Sequence, residues 1–590
     1  MAARVVQINS FCGGTSKLAD SEFLGLEETV NMYPETVTAT DTYTTKMMKS
    51  VEGFSGIGNP SNLMPDASMN GFGFASVNPS HKRDSVAMVW TGIEEGAHDY
   101  TSEVFTYNID DDANKIGQFE ANPGENDSIM ELSNGLLLIL RDNNGLNNSK
   151  LTIADPSHLY AGTDSDLADV TLPDAFDHYG KIDPTQMAQL NFRVILNDRD
   201  SDYIYWSEIN RPTDATDAHA FDQSLTQYAY TKNDGTVVTF SDNVFYAPAV
   251  GTYDPATLTT QTVYSSALNS MKMDFKADNV VALRASDSSL FVFGRSSLQI
   301  LRWQNSTIAP FAIVHKSSLA GVCGKDSVTL VGNECYFVGK GPKGMLGAYA
   351  VDENGGIRKF STASEDQLLA RIAKTHTGDI DNPLEKIKTF AYSYKGHQFF
   401  IFTIKARIEE TRVFDITENV WTSRASYDAN GDRFAWNVAS SVSIDGEPFF
   451  YITGKDGVPG LAWFEPTSHT DKFLPPADGY YIVKERTTGI KYDGINDIVV
   501  TALELIINAG TTGDIGSDPR VMLQVSIDGG RTWSDELWAS AGKTGEYSWR
   551  VRWNQIGRGA RFAFRVRMSD AFNFEIATAY LSYMPCGNRV

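Results

Sequence analysis

The residues with the clearest chemical potential are arginines that alternate with apolar side chains in two runs, at 547–553 and 561–568. Because side chains alternate across a β-strand, Arg550 and Arg552 share one face of the first strand, and Arg565 and Arg567 share one face of the second. Guanidinium groups form forked bonds with carboxylates. If the two strands pair, they present a four-arginine patch that suits an acidic partner.

The charge balance sets this patch apart from the rest of the chain. From Ala541 to Val590 there are eight basic and three acidic residues, so this tail carries +5 in a chain whose formal charge is −24. A solvated, solubilising strand face is the alternative interpretation. Arginine in place of lysine at all four positions favours docking over that alternative.

A second motif has the pattern of an Asp-box hairpin turn and comprises Ser526, Asp528, Gly530, Thr532 and Trp533. We expect Asp528 to accept hydrogen bonds from the turn's amides, Gly530 to adopt a special φ, and Trp533 to cover the fold. The motif therefore predicts a structural turn. The same box occurs repeatedly in sialidases, so a glycan-binding or glycan-cleaving Asp-box β-propeller protein stays as the alternative function.

No other pattern predicts catalysis, a cofactor or a metal. The acidic runs at 110–112 and at Asp198, Asp200 and Asp202 lack the glycine and distal glutamate of a calcium loop. The nine histidines do not lie in a nucleophile-elbow string, and there is no phosphate-binding glycine loop. The sequence therefore predicts no catalytic, cofactor-binding or metal-ligating residue.

Composition narrows the function classes further. With 74 acidic and 50 basic side chains, the protein is unsuited to tight DNA binding, although DNA can slide past such a surface. The four cysteines are too sparse for a disulfide framework or a zinc site. We also expect no secretory leader and no membrane segment, because no apolar run approaches the ~18 residues that a span needs.

Short strands separated by turn residues dominate the chain, with Gly or Asn at turns such as 332–333, 354–355 and 395–396. This pattern predicts an all-β chain of antiparallel hairpins, either a propeller or stacked sandwiches. One short helix is expected from Ser364, with Gln367 three positions later. Loss of the strand pattern predicts an insertion at 214–274, and prolines near residue 473 predict a domain boundary.

Several short motifs occur in an order that resembles the packaged-DNA stabilisation proteins of short-tailed phages, also called tail hub or nozzle proteins. The matching pieces lie at 30–35 (Val-Asn-Met-Tyr-Pro-Glu), 293–297, 321–324, 362–364, the Asp box, 552–553, 557–558 and 564–567. Their order carries the match. The 214–274 segment departs from the shorter members of the family.

The resemblance implies a β-propeller-like body of about six blades at 76–472 and a C-terminal antiparallel β-sandwich-like domain at 473–590. An N-terminal segment at 1–75 would pack on that domain. The resemblance also implies a homohexamer in the virion tail, made in the host cytoplasm and stacked beneath a twelve-copy adaptor. Double-stranded DNA would pass through the lumen without specific binding, be retained there, and be released at ejection.

Two further expectations follow from the resemblance. Tail fibres or spikes and a needle or plug are additional partners consistent with such a hub. The four arginines, Arg550, Arg552, Arg565 and Arg567, would dock the protein onto the adaptor, because an acidic lumen leaves this cationic surface for a neighbouring protein.

Overall fold

A computed structural model describes the chain between residues 4 and 586, and about 62% of it is β-strand. The ranges that are not described within those limits are 17–25, 39–43, 58–67, 77–83, 94–98, 108–112, 122–125, 133–134, 143–148, 155, 157–166, 171, 173–174, 176–179, 208–227, 232–236, 241–245, 249–251, 255–258, 262–263, 275–277, 305–309, 318, 375–381, 406–407, 429, 445, 453–459, 466–467, 472–479, 495 and 511–516.

The N-terminal segment distributes its strands over three sheets that are completed by later parts of the chain. Its strands are β1 (Arg4–Gln7), β2 (Glu28–Val30), β3 (Met32–Thr38), β4 (Thr44–Ser50) and β5 (Gly53–Ile57), and a 3-10 turn covers Asn9–Cys12.

The central part of the chain folds into seven antiparallel blades of four or five strands, numbered 1 to 7 in chain order; six are separate sheets, and blade 6 is part of a larger sheet. Blade 1 holds β6 (Ser68–Ser76), β7 (Asp84–Ile93), β8 (Tyr100–Tyr107) and β9 (Asn114–Ala121). Blade 2 holds β10 (Asn126–Glu131), β11 (Leu137–Asp142), β12 (Lys150–Ala154) and β13 (Leu167–Val170).

Blade 3 is interrupted by an insertion that overlaps the predicted 214–274 segment, although residues 270–272 of that segment form the fourth strand of the blade. Its strands are β14 (Met187–Leu190), β15 (Arg193–Asn197), β16 (Tyr203–Trp206) and β23 (Ser270–Lys272). Three two-stranded sheets lie between its last two strands: β17 (Tyr228–Thr231) with β18 (Val237–Phe240), β19 (Tyr246–Pro248) with β22 (Tyr264–Leu268), and β20 (Thr252–Asp254) with β21 (Thr259–Gln261).

Blades 4 to 7 complete the propeller. Blade 4 holds β24 (Ala282–Ala285), β25 (Ser289–Phe293), β26 (Leu298–Trp303) and β27 (Phe311–Ser317). Blade 5 holds β28 (Gly321–Val322), β29 (Val328–Val331), β30 (Glu334–Lys340), β31 (Leu346–Val351) and β32 (Ile357–Lys359). Blade 6 holds β33 (Lys388–Tyr394), β34 (His397–Lys405), β35 (Glu409–Asp415) and β36 (Val420–Tyr427), with β37 (Arg433–Ala435) paired to β36. Blade 7 holds β38 (Val438–Ile444), β39 (Glu447–Ile452), β40 (Gly460–Glu465) and the N-terminal strand β5.

The seven blades close into a ring. Their innermost strands (β6, β10, β14, β24, β29, β33 and β38) each contact the next one around the circle, including β38 with β6. Apolar side chains fill every gap between neighbouring blades, as where Phe449 of blade 7 packs in one cluster with Trp90 of blade 1. The sequence resemblance predicts about six blades, whereas the described residues form seven. Blade 7 is hard to predict from local sequence because its fourth strand, β5, comes from the N-terminal segment.

Close packing between blades 1 and 2 depends on glycine. A Cβ atom on Gly73 would lie 2.8 Å from Cβ of Ile129, in the facing strand β10. The inner strands of a propeller converge towards the axis, so the absence of a side chain here allows the two backbones to approach.

Between blades 5 and 6 lies the helix α1 (Ala363–Lys374), followed by a 3-10 turn at Pro383–Lys386. The helix confirms the sequence prediction, but its capping pair lies two residues earlier than expected. Glu365 accepts hydrogen bonds from the backbone N–H of Thr362, at 3.0 Å, and from the Thr362 hydroxyl. Leu368, Leu369 and Ile372 are buried in the cluster between the two blades.

Nine strands follow blade 7 in the described chain, and all but the first two of them form a sandwich of two sheets around one apolar core. The nine strands are β41 (Thr470–Asp471), β42 (Tyr480–Tyr481), β43 (Lys484–Thr487), β44 (Ile498–Ile507), β45 (Arg520–Ser526), β46 (Leu537–Ser540), β47 (Arg550–Gly559), β48 (Ala563–Met568) and β49 (Ile576–Pro585). Sheet I has the order β3-β4-β49-β44-β47, with β1 on β49, and sheet II contains β43-β48-β45-β46. The short pair β41–β42 stands apart from both.

One continuous sheet joins the propeller to the sandwich. The three-residue strand β2 pairs in parallel with β36 of blade 6 and antiparallel with β43 of sheet II, so ten strands form a single hydrogen-bonded surface. The first matching motif, at 30–35, therefore lies at the junction between the two parts of the molecule.

Asn31 fixes this junction. It adopts a φ of 53° and is 2% exposed. Its amide group donates to the carbonyls of Ala425 at 2.9 Å and Val483 at 3.0 Å, and its side-chain oxygen accepts from the Ala425 N–H at 3.0 Å. Asparagine tolerates this backbone region and supplies both donor and acceptor. One side chain thereby ties blade 6 to sheet II.

The next two residues point to opposite sides, as the alternation of a strand requires. Met32 lies in the sandwich core, whereas Tyr33 lies in the cluster between blades 6 and 7. The ring of Tyr33 meets the imidazole of His397 edge-on at 5.1 Å, and Nδ1 of that imidazole is 2.8 Å from Oδ2 of Asp415. The first residues of β3 are thus covered on both sides.

Candidate docking surface on the C-terminal sandwich

The alternation of β47 and β48 places their apolar side chains in the sandwich core. Val551 and Trp553 of β47 and Phe564, Val566 and Met568 of β48 are all buried there. The arginines between them must point to the outer faces.

The four-arginine patch was expected only if β47 and β48 pair, and the two strands do not pair with each other. β47 is the edge strand of sheet I and pairs with β44, whereas β48 lies inside sheet II between β43 and β45. Because the two sheets pack core to core, their outer faces point away from each other. Arg550 and Arg552 therefore do not form one patch with Arg565 and Arg567.

Arg565 and Arg567 share a single buried carboxylate, Glu485, which is 4% exposed. Nε of Arg567 is 2.6 Å from Oε2 of Glu485, and Nε of Arg565 is 3.4 Å from Oε1. Burial lowers the pKa of the Arg565 guanidinium, and Glu485 counteracts that effect. These two arginines neutralise a charge at the seam with the propeller.

Trp533 further restricts Arg565. The guanidinium carbon lies 4.0 Å from the centre of the Trp533 ring, which is a cation–π contact. With 23% of its side chain exposed, Arg565 offers little surface to a partner.

The Asp-box turn presents Trp533. Oδ1 of Asp528 accepts hydrogen bonds from the N–H groups of Arg531 and Thr532, both at 3.0 Å, and from the Ser526 hydroxyl at 2.7 Å. Oδ2 accepts from the Thr532 hydroxyl at 2.6 Å. Hydrogen bonds from Thr532 lower the pKa of Asp528 to about 2. Every oxygen of the carboxylate is thus engaged within its own turn.

Gly530 has a second reason to be glycine. Its φ is +92°, and an added Cβ would lie 2.6 Å from Cδ1 of Leu26. The turn therefore packs directly against the N-terminal segment, close to the junction strand β2.

Arg550 and Arg552 lie in a different environment. Their side chains are 64% and 56% exposed and share Glu504, with NH1 of Arg550 2.7 Å from Oε1 and NH1 of Arg552 3.8 Å from Oε2. Glu504 is itself 17% exposed. Two exposed guanidinium groups on one carboxylate leave a net positive charge of one on this face.

Large exposed apolar side chains lie at the same edge of the sandwich as this arginine pair and were not identified from the sequence as a group; one of them, Trp538, shares the outer face of sheet II with Arg567. We call them the aromatic edge: Leu537, Trp538, Tyr547 and Trp549, which are 39%, 51%, 74% and 41% exposed. They lie on the edge strand β46 and on the connection from it to β47. These side chains differ from core residues only in being exposed to solvent. The alternation of apolar and polar residues along a strand does not predict that exposure.

Arginine and aromatic residues are the types enriched at the centres of protein interfaces. An edge strand also presents unpaired backbone groups to a partner. Arg550, Arg552 and the aromatic edge therefore make the best candidate docking surface among the described residues of the sandwich.

The end of the propeller axis carries a network of ion pairs. Asp142 of blade 2 bonds Lys325 of blade 5 and lies 2.7 Å from NH2 of Arg199 in blade 3, and Nε of Arg199 is 2.5 Å from Asp183. Blades 2 and 5 are on opposite sides of the ring. The network therefore crosses the axis.

The remaining acidic motifs do not form a metal site in the described part of the chain. The run at 110–112 lies outside the described residues. Oδ1 of Asp198 accepts the N–H of Asp183 at 2.8 Å, and Asp202 lies 3.4 Å from Lys272. The described residues contain no group of three or more potential metal ligands. Their single helix is also too short and too polar to cross a membrane.

Comparisons with known structures add little. The WD40 domain of Toxoplasma gondii coronin is 10% identical, with a TM-score of 0.34, over 77% of this chain and 92% of that chain. Puromycin hydrolase is 8% identical, with a TM-score of 0.35, over 74% and 61%. A galactanase from Phanerochaete chrysosporium is 8% identical, with a TM-score of 0.20, over 90% and 100%. Similarity this low carries no argument about function, and no curated protein sequence matches the chain.

Family models give the decisive match, one for each part of the fold. Residues 251–446 match "Bacteriophage P22 Gp10, beta-propeller", and residues 485–583 match "Bacteriophage P22 Gp10, beta-sandwich". Together they span half of the chain, in the order in which the propeller and the sandwich occur. The protein therefore belongs to the family of bacteriophage P22 Gp10, the tail hub and packaged-DNA stabilisation proteins of short-tailed phages.

Proposed function

We propose that the protein forms a hexameric tail nozzle that extends the DNA channel beneath a twelve-copy adaptor, retains the packaged genome and opens for ejection. The observation that carries this proposal is the paired family match to both the propeller and the sandwich. Synthesis in the host cytoplasm and attachment of fibres, spikes, a needle or a plug belong to the same proposal. We also propose that the units at 76–472 and 473–590 act as body and docking domain, tied by 1–75.

The DNA channel runs between copies of the protein in this proposal. The ion pairs that link Asp142 of blade 2 with Lys325 of blade 5 cross the propeller's own axis. A duplex is therefore accommodated by a ring of protomers and not by a single propeller. The formal charge of −24 per chain supports a lumen that repels phosphates and lets DNA move.

Docking onto the adaptor uses Arg550, Arg552 and the aromatic edge. Exposed guanidinium groups can still form forked bonds with carboxylates of a partner, and the exposed aromatic side chains at the same edge of the sandwich supply apolar area to bury. Arg565 and Arg567, which the sequence also predicted for docking, are committed to Glu485. In the proposed contact they support the seam behind the docking surface.

A structural role is favoured over an enzymatic one, because the family consists of tail structural proteins. The glycan-cleaving alternative depended on the Asp box. The oxygens of Asp528 are engaged within its own turn, so no observation at the box favours that alternative.

Native mass spectrometry and negative-stain electron microscopy of the purified full chain test the proposal. We expect six-fold rings with an open centre, and antibodies against the protein should label the tails of intact virions. A strictly monomeric protein that antibodies fail to detect on virions would overturn the proposal. Reproducible cleavage of host-surface polysaccharides by the purified protein would favour the glycan alternative.

A further inference from the structure

A cavity of about 400 Å³ opens where blades 1, 6 and 7 meet. Five aromatic side chains line it, and three different blades supply them: Tyr107, Tyr394, Phe449, Trp463 and Phe464. None of these residues belongs to the docking surface on the sandwich. Pockets of this size commonly hold a small ligand or one large side chain.

The aromatic walls are held in place by neighbours. The rings of Tyr394 and Phe464 are 4.7 Å apart, and Phe54 stacks on Phe464 at 5.2 Å. The ring of Trp463 is 6.2 Å from that of Phe449. Phe449 and Phe464 are buried, whereas Tyr394 and Trp463 are half-buried, so these two side chains keep part of their surface accessible.

Charges around the cavity are not balanced. Glu447 and Glu465 line it together with one cation, Lys395. The ammonium of Lys395 is already paired with the carboxylate of Glu52, which also accepts the Tyr394 hydroxyl and is 8% exposed. By formal charge, the lining residues therefore carry one net negative charge beside the aromatic side chains.

The cavity already places one cation against its aromatic wall. Nζ of Lys395 lies 5.2 Å from the centre of the Tyr394 ring. Aromatic rings attract cations through their negative faces, and the attraction grows when the cation is shielded from water. Carboxylates next to such rings add charge-assisted hydrogen bonds.

We propose that this cavity binds the side chain of an arginine from a segment of another protein. The planar guanidinium stacks on an aromatic face while its fork of N–H groups reaches Glu447 and Glu465. A lysine ammonium would also be attracted by the negative charge, but it lacks the planar pair of N–H groups that can bond two carboxylates at once. Neutral sugars also stack on aromatic rings, but they gain nothing from the negative charge of this lining. The proposal is independent of whether the protein forms a ring.

Saturation-transfer difference NMR on the full-length protein tests the proposal, because it detects weak ligands of large proteins. The probes are N-acetyl-arginine amide and N-acetyl-citrulline amide, which have nearly the same shape but differ in charge. We expect saturable transfer from the arginine probe and about tenfold weaker binding of the citrulline probe, corresponding to one charge-assisted contact.

Variants locate the site. Glu447→Gln should weaken the arginine probe about threefold to tenfold, and Trp463→Ala should abolish its signal. Glu409→Gln, the same change at an exposed glutamate of blade 6, should leave binding unchanged. Circular dichroism must show that each variant stays folded.

Three results would overturn the proposal. They are equal binding of the citrulline probe, binding that persists in Glu447→Gln and Trp463→Ala, and the absence of any saturable transfer. Competition of the arginine signal by a neutral oligosaccharide would assign the cavity to sugars instead.

Discussion

The two arginine pairs of the sandwich share one sequence pattern but occupy different environments. Arg565 and Arg567 meet a carboxylate that is 4% exposed, and one of them stacks on Trp533. Arg550 and Arg552 are more than half exposed and share Glu504 at the rim of sheet I.

The difference shows that the burial of the carboxylate partner decides whether an arginine stabilises the fold or can bind another protein. A guanidinium that neutralises a buried carboxylate cannot leave it without a large cost, whereas one on an exposed carboxylate can exchange partners. The first pair therefore stabilises the seam between propeller and sandwich. The second pair stays accessible, as the proposed docking role requires.

The largest expected effect is on stability, from Arg565→Met combined with Arg567→Met. This change leaves Glu485 buried without a cation, so we expect a loss of about 3 kcal/mol, at the lower end of the cost of breaking a buried ion pair. Urea unfolding followed by tryptophan fluorescence measures it. The matched control, Arg550→Met with Arg552→Met, should cost under about 1 kcal/mol. Equal losses in both variants would remove the distinction between the pairs.

The next effect is on docking, from Arg550→Glu combined with Arg552→Glu. Charge reversal at an exposed pair should weaken attachment to the adaptor at least about tenfold, because like charges then face an acidic partner. Complementation of hub-deficient particles with purified protein measures attachment. Lys343→Glu with Lys374→Glu changes the net charge equally, away from the sandwich. Normal attachment of the sandwich variant would contradict the assignment of this surface.

A smaller effect is expected from Trp533→Ala, which removes the ring beneath Arg565. Loss of the cation–π contact should cost about 1 kcal/mol, and Trp533→Phe should restore part of it. Thermal unfolding of both variants beside the wild type measures the difference. If Trp533→Ala costs nothing, the ring does not hold Arg565.

The smallest effect is a pH dependence at the Asp box. The pKa of Asp528 is lowered from its ordinary value of 3.8 to about 2. The ionised carboxylate therefore stabilises the fold fully at any pH well above 3.8, and this contribution is lost as the pH falls towards about 2. Asp528→Asn should therefore cost at most about 1 kcal/mol at pH 7, by analogy with a lost cap. The gap between variant and wild type should close in acid. A gap that stays constant from pH 7 to the acid limit would contradict this role.

The local patterns of the sequence were sufficient for the strand faces but not for strand pairing. Alternation correctly places Val551 and Phe564 in the core and the arginines outside. Strand pairing depends on contacts between residues that are far apart in the sequence. The residues around β47 and β48 therefore do not reveal that the two strands belong to different sheets. The number of blades is hard to predict for the same reason, because β5 of the N-terminal segment completes blade 7.

The short motifs were informative because they mark places where distant segments meet. Gly294 and Val322 lie in two separate motifs, and the Val322 N–H donates to the Gly294 carbonyl at 2.9 Å. Asn31 likewise ties blade 6 to sheet II. The order of these motifs identified the family, whereas the role of each residue required its three-dimensional neighbours.

The central claim is that Arg550, Arg552 and the aromatic edge fasten an acidic ring to the tail. Electron cryo-microscopy of the intact virion tail tests it most directly. We predict a ring of this chain with a negatively charged lumen wall, in which both arginines lie within hydrogen-bond reach of carboxylates on the adjoining tail protein. A positively charged lumen wall, or a map in which that edge of the sandwich faces solvent, would contradict the claim.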